Sequence, residues 1–261
     1  MEGIIELGFW QLVMAYLFLL LLLWMVRRQG IGREKEILLA SFRMTVQLVL
    51  VGYILAFVFN AQHVVYSLLA LLVMEYFALR NIFSRLRVKV PPALQRVIII
   101  SQVAGTLASV LFFLTAVVRL APWYDARYFI PITGMIIGNS MTGVTLGAER
   151  LLDGMKTRRH LVEGALMLGA APEKAARSIA NDAFSAAILP TINSMMGMGI
   201  VFLPGMMTGQ IISGVSPMTA IEYQIAIMMG ILGSVSLTVF LLVRYGSRSF
   251  FNQRSQLISL K

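Results

Sequence analysis

Long apolar segments dominate this chain and restrict what it can fold into. A helix needs about 20 mostly apolar residues to cross a bilayer, and seven segments are close to that length. They are residues 7–26, 37–59, 64–79, 97–118, 128–147, about 183–212 and 219–243. Because 58% of the 261 residues are hydrophobic and 13% are charged, a soluble domain could not bury so much apolar surface. We therefore expect an all-α, polytopic membrane protein with about seven transmembrane helices, forming one transmembrane domain over residues 1–261.

The basic residues predict how these helices are oriented. Nineteen of the 22 lysines and arginines follow spans one, three, five and seven, which places them on one side of the membrane. Since cytoplasmic loops carry the excess of lysine and arginine, we expect the N-terminus outside and the C-terminus in the cytoplasm, in a bacterial inner membrane. This pattern also accounts for the net charge of +10, so membrane lipid rather than nucleic acid is the expected partner. The longest cytoplasmic segment would be residues 148–182.

That cytoplasmic segment has the sequence of two short helices joined by a tight turn. Residues 161–168 are typical of a helix that ends at Gly169, since glycine tolerates the left-handed conformation at a helix C-terminus. Pro172 then stands where a first helical turn accepts proline, and Glu173 follows it at the positive end of the new helix. The alanines and glycine around the bend would let the surface of another protein approach closely.

Several catalytic chemistries are excluded by what the chain lacks. It has no cysteine, and therefore no disulfide, thiolate metal site or cysteine nucleophile. The Gly-Met-Lys-Thr at residues 154–157 fails as a phosphate-binding loop, because methionine separates the glycine from the lysine. The spans hold no His-rich, Asp-paired or Ser-Lys constellation. We therefore expect no catalytic residue and no cofactor bound by this chain.

Charged residues within spans are costly and are candidates for function. Arg43 lies in span two and Glu75 in span three, at similar distances from the cytoplasmic side. They could form an ion pair that only fixes packing, or they could take part in transport. Glu222 lies near the outer end of span seven, where it would either reach the interface or attract cations to a pore mouth.

Polar and methionine side chains in spans five and six are further candidates for a transport path. They are Asn139, Ser140, Asn193, Ser194, Met195 and Met198. In span five, glycines four residues apart favour close helix contact. In span six, Pro204-Gly205 predicts a broken helix, which membranes tolerate where freed carbonyls face a cavity. Methionine thioethers favour soft ions such as Cu(I), but methionine is also a flexible filler of mobile interfaces, so both interpretations stay open.

Two features resemble the membrane subunits of ABC transporters. Glu163, Ala165 and Gly169 stand as in their EAA-x-x-x-G loop, with glycine at the middle position, and residues 188–190 resemble its I-x-L-P ending. Segments such as GMIIGNSMTGVTLGAERL and EGALMLGAAPEKAARSIANDAFSAAILP resemble the FetB-type permeases, a family described as iron-export ABC permeases. This resemblance covers nearly the whole chain and is strongest over residues 134–233.

The resemblance implies a permease subunit for ATP-driven metal export, with iron as the metal. It implies a homodimer of permeases and a partner ABC ATPase that binds the ATP and magnesium. The expected ATPase-coupling residues are Glu163, Ala165, Gly169, Pro172 and Arg177. Plant relatives linked to aluminium tolerance and nucleotide-sugar movement leave another substrate open. The alternatives are an ion-coupled secondary transporter, against which an odd number of spans argues, and a membrane-embedded enzyme.

Overall fold

Helices form all the regular secondary structure of the chain within the part that the structure describes. The structure, a computed structural model, describes residues 8–61, 63–86, 90–252 and 254–258. The all-α prediction is confirmed over these ranges, while Leu7, the predicted start of span one, lies outside them. The chain divides into two compact units, with the boundary after Ala61. The single domain expected over residues 1–261 stays a prediction.

The first unit contains long apolar helices with exposed surfaces. α1 spans Phe9–Ala15, α2 spans Leu17–Arg28 and α3 spans Glu34–Ala61. Tyr16, the one residue between α1 and α2, keeps helical backbone angles, so both helices form one apolar segment of 20 residues. α2 and α3 each bury a single residue. Such exposure of apolar side chains is expected of helices that face lipid or another subunit.

The second unit is a bundle of long helices with three short ones. Its helices are α4 (Val64–Arg85), α5 (Pro92–Phe112), α6 (Ala126–Thr157), α7 (Arg159–Met167), α8 (Pro172–Ala175), α9 (Arg177–Gly197), α10 (Gly205–Ile212) and α11 (Pro217–Arg248). A π-helical turn, Phe113–Val117, continues α5. The core lies where α6 packs against α4, α9 and α11, and where α5 packs against α11.

Six helical segments among the described residues are long and apolar enough to cross a membrane. They are α1 with α2, α3, α4, α5 with its π-helical turn, α6 and α11. α9 is long enough but is not among them, because Asn181, Asp182, Asn193 and Ser194 interrupt its apolar sequence. The predicted number of seven crossings and the predicted orientation therefore stay predictions, and both depend on α9.

α6 extends further than the apolar pattern predicts. Span five was expected to end at residue 147, but α6 continues to Thr157. Leu151 and Met155 are fully buried on this extension, and a Cβ added at Gly154 would lie 2.5 Å from the Ile179 side chain of α9. The first part of the expected cytoplasmic segment, residues 148–182, is thus a packed continuation of α6.

Glycines allow α6 to approach its neighbours closely. A Cβ at Gly143 would lie 2.8 Å from Val235 of α11, and one at Gly147 would lie 3.3 Å from Leu242. The close helix contact predicted for this glycine pair is confirmed. The other glycine pair of span five, Gly134 and Gly138, differs from this one. A Cβ at Gly138 would have nothing within 4 Å.

The predicted break in span six is confirmed, but it begins earlier than Pro204. α9 ends at Gly197, and Gly199 adopts a left-handed backbone conformation with φ of 82°. The Gly199 backbone N–H donates a hydrogen bond to the carbonyl of Phe202 at 2.9 Å, which closes the turn. Pro204 then precedes α10. Seven residues of non-helical backbone therefore separate the two parts of this span.

The packing predicts opposite effects for alanine at two glycines. At Gly105 of α5, a Cβ would overlap the Thr238 side chain of α11 and lie 3.1 Å from its Cα. We expect Gly105→Ala to destabilise the protein by about 1–3 kcal/mol through overpacking. Gly138→Ala meets open space and gains helix propensity of up to about 1 kcal/mol. Thermal unfolding in detergent measures both effects. Equal changes in the unfolding temperature of the two variants would contradict the packing of α5 on α11.

Candidate functional site

A helix–turn–helix projects from the second unit between α6 and α9. We call it the elbow and define it as α7, the turn 168–171 and α8. Gly169 has φ of 85°, and its N–H donates to the Leu166 carbonyl at 3.0 Å. The Ala170 N–H donates to the Ala165 carbonyl at 3.0 Å, which completes a Schellman motif at the C-terminus of α7. Pro172 is the first residue of α8, so the predicted turn is confirmed.

Two ion pairs, one from the residue before the elbow and one from α8, contact the long helices. Arg158, between α6 and α7, donates to Asp182 of α9 at 2.7 Å. Glu173 of α8 lies 3.1 Å from Arg248 at the end of α11. Both pairs are about half exposed, so each stabilises the fold by roughly 0–1 kcal/mol at most. The two pairs place Arg158 beside α9 and α8 beside the end of α11.

The elbow presents two large apolar side chains at its bend. Met167 is 87% exposed and Leu168 is 90% exposed. Glu163 pairs along α7 with Arg159 at 2.8 Å, and its coupling to an ATPase stays a prediction. The sequence interpretation missed this apolar tip, although two large apolar residues directly before the turn glycine were a usable signal. These two side chains form a small apolar patch on an otherwise polar segment.

A cavity with five polar residues in its lining lies between α6, α9, α10 and α11. Its volume is about 280 Å³. We call it the central cavity, and its polar lining residues are Asn139, Thr142, Thr191, Ser194 and Gln224. Asn139 and Ser194 were predicted for a transport path. Thr191 and Gln224 were missed, because single polar residues in apolar sequences give no sign of which helix face they occupy.

A second cavity of about 380 Å³ adjoins the central cavity. We call it the methionine cavity, since it is lined by Met195, Met198, Met207, Met228 and Met229. Met198, Gln224 and Met228 line both cavities. The Gln224 side chain is 7% exposed, and its Nε2 lies 3.7 Å from the Met198 sulfur.

A buried carboxyl group lies between α4 and α5. Glu75 is 6% exposed and is the one buried residue of a charged type among the described residues. The Thr106 hydroxyl donates to its Oε1, and the Gln102 side chain faces the same carboxyl group. Glu75 Oε2 and both polar side-chain atoms of Gln102 have no hydrogen-bond partner within the described ranges. Carboxylate, amide and hydroxyl oxygens are hard donors, suited to a proton or a hard cation.

The remaining predicted path residues lie outside both cavities. Asn193 and Glu222 are exposed on α9 and α11. Ser140 is buried and shares a hydrogen bond of 2.8 Å with Ser234, so it packs α6 on α11. Arg43 is exposed on α3 of the first unit, and its pairing with Glu75 stays a prediction.

Arg177 lies apart from the apolar tip. It is exposed at the start of α9, where it lines a basic pocket together with residues at the end of α11. The geometry thus groups four of the five expected coupling residues within the elbow and leaves the fifth beside it.

Residues 9–251 match the uncharacterised protein family UPF0014. UPF0014 membrane protein slr1647 of Synechocystis is 35% identical over 249 residues, covering 95% of this chain and 94% of its own. The probable iron export permease protein FetB of Escherichia coli is 31% identical over 95% of this chain and 93% of its own length. Protein ALUMINUM SENSITIVE 3 of Arabidopsis thaliana is 33% identical over 88% of this chain and 82% of its own length. No solved structure matches the chain.

These matches extend over almost the full length of each relative. They confirm the resemblance to FetB-type permeases, and with the apolar helices they identify a multi-pass membrane protein. The names of the relatives describe membrane proteins and a permease, so they agree with a role in transport. The chain belongs to the membrane-protein family UPF0014.

Proposed function

We propose that this chain is the permease subunit of an ABC transporter that exports metal, with iron as the cargo. A separate ATPase binds the ATP and magnesium and docks on the elbow, and two permeases assemble with two ATPases. The membrane is a bacterial inner membrane, with α9 and α10 together forming the sixth of seven crossings. The N-terminus is then outside and the elbow is cytoplasmic, as the basic residues favour.

The apolar tip of the elbow is the observation that carries this proposal. Met167 and Leu168 are exposed at 87% and 90%, on a segment whose sequence is too polar to enter lipid. Burying two such side chains in a groove of another protein would contribute about 1.5–3 kcal/mol each. The ion pairs Arg158–Asp182 and Glu173–Arg248 would then transmit movement of the ATPase to α9 and α11, which line both cavities.

The cargo assignment rests on a relative and on oxygen donors. One relative carries the name of a probable iron export permease. In this chain, Glu75, Gln102 and Thr106 offer oxygen atoms to a hard cation, and the central cavity offers further hydroxyl and amide groups. Within the described ranges, no cluster of three His, Cys, Asp or Glu residues could hold a metal ion tightly.

The methionine cavity favours a second cargo of different chemistry. Five methionine side chains surround about 380 Å³, and thioethers prefer soft ions such as Cu(I). Transport assays in everted membrane vesicles that compare Fe(II) with Cu(I) distinguish the two cargoes. Substitution of Met195 and Met198 by leucine would abolish Cu(I) transport only, and unchanged Cu(I) transport in that variant would exclude the soft-metal path.

Purification from the native membrane tests the proposed assembly. We expect an ABC ATPase to copurify with the chain and to be identified by mass spectrometry, while the isolated chain hydrolyses no ATP. Transport of metal by the isolated chain in liposomes under an ion gradient would contradict the proposal and favour an ion-coupled secondary transporter.

The conformation of Gly169 predicts an uncoupled variant. Gly169→Val forces a β-branched residue into a left-handed conformation, at a cost of about 1–2 kcal/mol, and therefore rearranges the turn. We expect the variant to stay folded but to lose ATP-driven transport. Gly138→Val is the matched control, because a Cβ at Gly138 meets nothing within 4 Å, its backbone is helical and it lies outside the elbow. Equal transport by the two variants would remove the elbow from the coupling mechanism.

A further inference from the structure

A basic pocket lies where the start of α9 meets the end of α11. Its volume is about 540 Å³. Its rim carries Lys174, Arg177, Arg244 and Arg248 with a single acidic residue, Glu173. Arg248 is paired with Glu173 at 3.1 Å, whereas the other three basic side chains form no ion pair with any described residue. Three exposed cations therefore face one pocket.

Along both α9 and α11, the residues that line the pocket change from basic to aromatic in the same direction through the bundle. On α11, Phe240 lies one turn before Arg244, which is about 6 Å along the axis. On α9, Phe184 lies about 10 Å beyond Arg177. Both rings line the pocket, and Phe240 is 52% exposed. The pocket is thus cationic at one end and apolar at the end that lies deeper along the bundle.

We propose that this pocket binds an anionic phospholipid of the cytoplasmic leaflet. The phosphate contacts Arg177, Arg244 and Lys174, and an acyl chain lies along Phe240 and Phe184. Basic pockets between membrane helices are known to bind acidic lipid headgroups. The two phenylalanine rings lie deeper along the bundle than the basic side chains, where the acyl chain of a lipid would lie, whereas a soluble phosphate has no apolar part to contact them. The inference depends on the predicted orientation and not on the proposed ATPase partner.

Binding here would act on the position of the elbow. The headgroup would lie beside the Glu173–Arg248 pair, which connects α8 to the end of α11. A phosphate at this point adds negative charge next to Glu173 and so competes with it for Arg248. The lipid would therefore change how firmly the elbow is attached to α11.

Spin-labelled lipids test the proposal on the full-length chain reconstituted in phosphatidylcholine vesicles. We expect labelled phosphatidylglycerol to associate more strongly than labelled phosphatidylcholine. Each surface cation contributes about fivefold to such binding, so Arg177→Gln with Arg244→Gln should reduce the preference by about tenfold or more. Arg27→Gln with Arg28→Gln is the matched control, since it removes the same charge at the end of another helix outside the pocket. Equal loss in both double variants would overturn the proposal.

A second variant separates a lipid from a soluble phosphate compound. Phe240→Ala removes the apolar wall and leaves every cation in place. We expect it to weaken phosphatidylglycerol association while the wild-type protein shows no competition by glycerol 3-phosphate. Competition by glycerol 3-phosphate together with unchanged lipid association in Phe240→Ala would mean a site for soluble phosphates, and would exclude the lipid site.

Discussion

Replacing Met167 and Leu168 together by aspartate is expected to abolish binding of the partner ATPase. Both side chains are almost fully exposed in the chain alone, so the substitution should leave the fold intact. In the complex, however, each new carboxylate would be buried in an apolar groove, where an unpaired charge costs several kcal/mol. We expect the amount of ATPase that copurifies to fall by about 100-fold or more, and ATP-driven transport to be lost.

The control for this variant exchanges the two residues. Met167→Leu with Leu168→Met keeps the apolar tip and its composition, so the ATPase should copurify as with the wild-type chain. Circular dichroism and thermal unfolding of both variants verify that the bundle is unchanged. Undiminished copurification with the aspartate variant would mean that the elbow is not the docking surface.

Glu75→Gln is expected to reduce metal export by about tenfold or more. The amide keeps the shape of the carboxyl group and can still accept the hydrogen bond from Thr106, so the fold should be retained. The substitution removes the one buried group of the described residues that can carry a negative charge. Contacts of charged groups contribute about 1.5–3 kcal/mol, and a cation crossing the membrane would lose that contact.

Glu222→Gln makes the same chemical change at a carboxyl group that is exposed rather than buried. We expect it to transport metal at the wild-type rate, measured as ATP-dependent uptake of radioactive iron into everted vesicles. Wild-type transport by Glu75→Gln would limit Glu75 to a packing role, the alternative that the sequence interpretation kept open.

The elbow was predictable because its signals are local. Glycine is favoured where a helix ends in a left-handed conformation, and proline is favoured in the first turn of a helix, so Gly169 and Pro172 together indicate where one helix ends and the next begins. The exposure of Met167 and Leu168 was not predicted, because the apolar character of a residue does not reveal whether another part of the chain covers it.

The ends of the long helices could not be predicted from apolar runs alone. Span five seemed to stop at residue 147, since Glu149, Arg150 and Asp153 follow. These charges lie among fully buried positions such as Leu151 and Met155, so α6 continues as an amphipathic helix beyond its lipid-facing part. A hydropathy criterion detects contact with lipid, whereas the extension of α6 is stabilised by contact with α9.

The candidate site was predictable in part for a similar reason. Asn139, Ser194, Met195 and Met198 were chosen as polar or methionine residues in apolar spans, and the structure places them on cavities. Gln224 was missed, although it lines both cavities, because its position depends on how α11 packs against the turn after α9. Tertiary packing selects the residues that line a cavity, and periodicity in one helix does not.

Cross-linking from the tip of the elbow tests the central claim most directly. The chain contains no cysteine, so Leu168→Cys introduces a single thiol at a site that is 90% exposed. With a photoactivatable maleimide attached in inverted native membranes, we predict one major adduct, between this chain and an ABC ATPase, identified by mass spectrometry. A thiol that reacts only from the outer side of the cell, or an adduct with lipid alone, would contradict the account.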